Sequence, residues 1–125
     1  MADERSSVIK IGDKEYELLL TTKATKEIAK RYGGLENLGD KLQKSKNFEE
    51  ALEEIIFLIV LLANQTILIQ NLSKTEKLPL LTEEEVELRT TPSDLAAYKD
   101  AITEALLKGT KRFVESEEGK NVEVE

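Results

Sequence analysis

No histidine and no cysteine occur anywhere in the 125 residues. The first absence removes the commonest general base near neutral pH and the commonest metal ligand. The second removes a disulfide framework and thiolate zinc sites, and fits a reducing cytoplasm. Serine and threonine therefore have no imidazole partner, so triad-type nucleophilic chemistry lacks its parts. Nothing marks any one lysine as desolvated. Taken together, these gaps predict a chain that is not an enzyme and holds no cofactor or metal. Basic charge is also scarce: 18 lysines and arginines stand against 25 acids, a formal charge of −7. Phosphate contact needs clustered cations, so a general nucleic-acid binder is not expected. The opening MADERSS is charged and has no apolar segment, unlike a secretory signal. No internal repeat is visible.

What the sequence has is one dominant apolar stretch, Phe48 to Leu72, around Ile55–Ala63, the longest unbroken apolar run. Asn47 with Glu50 three residues on forms an N-cap and capping-box partner. On a helical wheel Phe48, Leu52, Ile55, Leu58, Ile59, Leu62 and Ile69 share a broad face. Glu50, Glu53, Glu54, Asn64 and Asn71 lie opposite, yet Phe57, Leu61 and Leu68 stand among them. A surface helix carries one apolar stripe, whereas this one is apolar almost all round in its middle turns. A bilayer span of roughly 20 residues would take in Glu53 and Glu54, or else Asn64, Gln65, Thr66 and Gln70. A carboxylate at mid-bilayer costs about 2.5–3.5 kcal/mol. The stretch reads as a core helix, with no membrane partner. Its fourteen large apolar side chains contribute roughly 1.5–3 kcal/mol each on full burial.

The remaining elements are expected to wrap that helix. SVIKI-GD-KEYELLL reads as a β-hairpin with Gly12-Asp13 as its two-residue turn, setting Ile9 opposite Tyr16 and Lys10 opposite Glu15. Ile9, Ile11, Tyr16, Leu18 and Leu20 then share a face that must cover something, because a lone hairpin is marginal in water. Thr21 or Thr22 caps a helix carrying Ala24, Ile28 and Tyr32, ended by Gly33-Gly34. Leu35, Leu38 and Leu42 mark a short second helix, weakened by Gly39. A polar loop with Pro79 follows the central helix. Thr82 with Glu85 opens another short helix, and Thr91-Pro92 with Asp94 opens the last. That last helix carries Leu95, Tyr98, Ile102, Leu106 and Phe113, with Gly109 as its expected stop. The fold class predicted is α+β: an N-terminal β-hairpin, then four or five helices around a long apolar one. Residues 1–6 are expected to be disordered, 7–114 to form a single domain, and 115–125 to be a flexible acidic tail, with an edge strand through Val122 and Val124 as the alternative.

Two acidic clusters and one apolar stripe are the candidate sites. Glu49-Glu50-Glu53-Glu54 and Glu83-Glu84-Glu85-Glu87 read as solvated helix starts rather than Mg²⁺ or Ca²⁺ cages, since no calcium-loop spacing is present. Gly33-Gly34 lacks the rest of a phosphate loop. Phe57, Leu61 and Leu68 are either buried by the C-terminal helix or form a helix-binding groove or self-association face, with Glu50 and Glu54 framing its N-terminal end.

The order of these features resembles the small tail assembly chaperones of long-tailed bacteriophages and prophages. That family opens with a hairpin of the form I-K-I-G-x-K-x-Y-x-L, matched by Ile9 to Leu18. A K-x-I-x-x-x-Y-G-G helix follows, matched by Lys26 to Gly34. An apolar helix and an L-T-x-E-E-V helix complete it, matched by Phe48 to Ala63 and Leu81 to Val86. The resemblance covers about two thirds of the chain. It departs in the length of the apolar helix, which runs on through Ile67-Leu68-Ile69, and in the acidic tail. It implies a non-enzymatic cytoplasmic protein of the bacterial host that binds the tape measure protein, the long helical protein setting tail length. The implied role is to keep that protein soluble until tail tube subunits polymerise round it. The alternatives are a structural tail subunit of tube or terminator type, a homo-oligomer forming rings, and a small regulatory enzyme subunit.

Overall fold

The computed structural model describes residues 6–34, 37–38 and 48–124, with the backbone alone for Phe48 and residues 111–124. Two antiparallel strands, β1 (Ser6–Ile11) and β2 (Lys14–Leu19), are followed by α1 (Thr22–Tyr32), α2 (Phe48–Asn71), α3 (Glu83–Arg89) and α4 (Pro92–Val124). This is the α+β arrangement expected, a hairpin followed by four helices. Asn47, Leu35, Gly39 and Leu42 lie outside the described residues, as does the side chain of Phe113. Of the short second helix, Asn37 and Leu38 are helical and Leu38 is buried.

The hairpin has the expected register, Ile9 opposite Tyr16 and Lys10 opposite Glu15. Gly12 takes φ 62°, and Asp13 is not among the positive-φ residues, as a turn with glycine in its first central position requires. Ile9, Ile11 and Leu18 are buried on one face. Leu19 and Ser6, directly opposite each other on the other face, are buried too, so the open end of the hairpin is covered on both sides. Ser6, expected outside the fold, is the first residue of β1.

The reason lies at the far end of the chain. α4 runs antiparallel along the outer edge of β1. Tyr98 Oη donates to the Lys10 carbonyl, Ser7 Oγ donates to the Ala101 carbonyl at 2.6 Å, and Lys108 Nζ donates to the Ser6 carbonyl at 2.9 Å. In this register Ser6, Val8 and Lys10 turn their backbone groups away from β2. Two of those three outward carbonyls are thus satisfied by α4. On the β2 side Thr66 of α2 donates to the Glu17 carbonyl at 3.3 Å.

Most caps are where the sequence places them. Thr21 Oγ1 accepts from the Ala24 amide, and Gly33 closes α1 by donating to the Ala29 carbonyl. Thr82 and Glu85 form a complete capping box on α3. Thr91 and Asp94 exchange side-chain-to-backbone bonds at the start of α4. Gly109, however, does not stop α4, which continues to Val124. A Cβ at this position would stand 2.8 Å from Leu20 Cβ. Glycine is used there for close approach of the helix to Leu20, not for termination. The backbone of Val122 and Val124 is helical, so these residues add no edge strand.

α2 is the core helix. Leu58, Ile59, Leu62 and Ala63 are wholly buried against a cluster that includes Ile11, Leu18, Ile28, Val86 and Ile102. By length and composition alone it is also long and apolar enough to cross a membrane, and only 44% of its most apolar window is buried. The described residues leave the rest partly uncovered.

Candidate interaction surface

The polar residues that interrupt α2 divide into two groups with different tasks. At its N-terminal half Glu54 is 7% exposed rather than solvated. Arg31 Nε donates to Glu54 Oε1 at 3.0 Å, and Tyr32 Oη donates to the same oxygen. A buried carboxylate needs such partners, because an uncompensated one is costly. Phe57 completes the cluster: the Arg31 guanidinium sits 4.1 Å from its ring centroid, and Tyr32 meets it edge-on at 6.2 Å. Burial first, and then the hydrogen bond to Glu54, pushes the Tyr32 phenol well above its usual range. The bond to Glu54 likewise raises the Arg31 guanidinium. This cluster fastens α1 to α2. Glu54 therefore does not frame an open groove, contrary to the expectation from its place on the helical wheel. Glu50, half-buried one turn earlier, has an interaction of its own.

At the C-terminal half the polar residues other than Thr66 are amides. Asn64 donates to the Leu81 carbonyl at 2.9 Å and accepts from the Leu81 amide at 2.7 Å. Asn71 does the same with Leu78, at 3.1 and 2.8 Å. Each side chain pairs with both backbone groups of one residue, as a neighbouring strand would. The spacing explains why two such clamps fit. Seven helical residues advance about 10.5 Å, and three extended residues about 10 Å. The segment Leu78–Leu81 is therefore laid antiparallel along the last two turns of α2. Gln65, buried between, accepts from Thr21 Oγ1 and donates to the Leu61 carbonyl.

The expected stripe is accordingly split. Phe57 and Leu61 are half-buried and packed on the core cluster. Leu68 is half-buried on the turn between the two clamping asparagines. Most of the exposed large apolar residues lie instead from the end of α2 onwards. Of the seven exposed large apolar residues among those described, five fall between Ile69 and Leu88: Ile69, Leu72, Leu78, Leu80 and Leu88. Leu72 is 84% and Leu88 78% exposed. Neither the clamps nor this distal cluster is evident from hydropathy. The one available signal is the pair of asparagines two turns apart inside a helix, followed by a proline-containing loop.

Among the described residues no group of three carboxylates is gathered to hold a metal ion. Comparison with protein-family models, curated proteins and solved structures gives no match to this chain.

Proposed function

We propose that the chain is a non-enzymatic tail assembly chaperone of a long-tailed phage or prophage, which binds the tape measure protein in the host cytoplasm and keeps it soluble. The observation that carries the proposal is the incomplete wrapping of α2. Val60, Leu61, Ile67 and Leu68 are half-buried and Ile69 is exposed. A core helix finished by its own chain would bury these residues; one that holds a helical client leaves them to be covered. The net charge of −7 suits a protein that must itself stay soluble while carrying apolar surface. The ordered hairpin, Y-G-G helix, apolar helix and L-T-E-E-E-V helix supply the family resemblance.

Co-expression with the tape measure protein from the same genome tests this. Soluble yield of that protein should rise with the wild-type chain. Leu61→Lys should remove the effect while the fold survives, since a half-buried lysine can run its stem along apolar surface and keep its ammonium in water. No rise with wild type sinks the proposal. Rings seen by sedimentation would then bring the structural-subunit reading forward.

A further inference from the structure

We infer that the reversal after α2 is a hinge through which two copies of this chain exchange the strap Leu78–Leu81 together with α3 and α4. The product is a domain-swapped dimer in which α2 is lengthened to Lys77. This goes beyond the chaperone reading and does not depend on it.

α2 ends without a signal that stops a helix. α1 closes on Gly33 at φ 87°, the left-handed cap that glycine adopts without penalty. No glycine occurs between Gly39 and Gly109, and among the described residues no other residue type takes a positive φ. Instead the amides of Leu72, Ser73 and Lys74 donate to the carbonyls three residues back, at 3.2, 3.3 and 3.4 Å. Helical winding thus carries on past Asn71 in a tightened form whose bonds lengthen step by step. The stretch Leu72 to Lys77, LSKTEK, contains no helix breaker. Pro79 is the first, and it disfavours helix at Leu78 as well. A straightened hinge therefore extends α2 to Lys77 and no further.

What turns the chain back is not the turn itself. Every residue from Leu72 to Leu80 is exposed, so the reversal encloses no apolar side chain. It is held by Asn64 on Leu81, by Asn71 on Leu78, and by Lys77 Nζ on the Asn71 and Lys74 carbonyls. In a lengthened helix the Thr75 amide would replace Lys77 at the Asn71 carbonyl. The two asparagines bind only backbone groups, and the same segment of a second copy presents the same groups.

The direction of the strap makes the exchange reciprocal. It lies antiparallel along α2, so straightening the hinge carries it onward in the direction of its own α2. On that course it meets the α2 of a second copy antiparallel if the two α2 helices point in opposite directions. That arrangement has a two-fold axis, and the exchange closes at two copies. Setting Leu78 of each copy at Asn71 of the other also places Leu72 level with Lys77, Ser73 with Glu76, and Lys74 with Thr75. No like charges stand level in the doubled hinge. Beyond the strap, Val86, Leu95 and Ile102, buried in the core cluster, would fill the same positions in the other copy.

Light scattering after refolding the full chain at low and at high concentration reads the dimer. Wild type should give a dimer whose share rises with refolding concentration and which persists on dilution, because return requires the core to open. The variant S73A/T75A should favour the dimer by about tenfold or more, since both copies gain helix propensity in the hinge. Thr75→Pro lies outside α2 in the closed form, and should remove the dimer while the monomer keeps its circular dichroism spectrum. In a dimer refolded from isotopically labelled and unlabelled chains, filtered nuclear Overhauser spectra should show Val86 of one copy against α2 of the other. Monomers at every concentration in both wild type and S73A/T75A overturn the inference. So does a dimer indifferent to both hinge variants, or one in which Val86 meets only the α2 of its own copy.

Discussion

The two halves of α2 use polar side chains in opposite ways. In the N-terminal half a carboxylate, Glu54, is drawn inside and closed over by Arg31, Tyr32 and Phe57. In the C-terminal half two amides, Asn64 and Asn71, reach outward and hold a segment in which Leu78 and Leu80 stay in water. A buried charge needs compensation from every side, so it seals. An amide has one donor face and one acceptor face, so it can hold a backbone rung without demanding burial. One helix thus anchors the fold at one end and presents a surface at the other.

Removing the seal should have the largest effect. Glu54→Ala takes away the acceptor of both Arg31 and Tyr32, and the loss should be about 2–4 kcal/mol, the lower part of the buried-pair range because Arg31 is itself partly exposed. Urea titration measures it. A loss no greater than that of Asn71→Ala would erase the contrast between the two halves.

Next comes the inner clamp. Asn64→Ala should cost about 1–3 kcal/mol, since the Leu81 backbone is part-buried and would lose its partner. Asn71→Ala, at the exposed clamp, should cost about 0.5–1.5 kcal/mol. Amide exchange at Leu78 should accelerate in the second variant and that at Leu81 chiefly in the first.

The seal should also respond to alkali. Tyr32 has a folded pKa raised by burial and by Glu54, so its contribution is fully present below the usual tyrosine pKa of about 10. It is lost as pH rises through the higher folded value. Stability of the wild type should therefore fall with rising pH above the usual value, and Tyr32→Phe should flatten the decline. An equal alkaline decline in both proteins would place the sensitivity elsewhere.

The smallest effect belongs to the presented surface. Leu72→Ser should change stability by no more than about 0.5 kcal/mol, as expected of an exposed position. A larger loss would show that Leu72 supports the fold rather than waiting for a partner.

Local chemistry is legible in the sequence; long-range approach is not. The hairpin register follows from Gly12-Asp13 and alternation, and the caps at Thr21, Thr82 and Thr91 from hydroxyls at helix starts. Gly109 is ambiguous because a glycine near the end of a periodic stretch looks the same whether it ends a helix or admits Leu20. A helical wheel shows the face that Glu54 occupies, but not that Arg31 and Tyr32 arrive from α1 to cover it. The asparagine clamps depend on a match between helical and extended spacing across seventeen and seven residues of sequence, which hydropathy does not record.

The seam between β1 and α4 bears on how the chain is made. The bonds from Tyr98 to Lys10 and from Lys108 to Ser6 join residues 88 and 102 positions apart. The hairpin is synthesised well before α4, so its outer edge stays bare until the residues that cover it have followed. Closing a loop of that length costs about 4 kcal/mol of chain entropy, so the seam is a late event in folding. Nascent chains stalled before Tyr98 should be cut readily within β1 by protease, whereas chains released with α4 in place should be protected there. Between the synthesis of the hairpin and that of α4 the chain carries an open strand edge of its own, and α4 closes it.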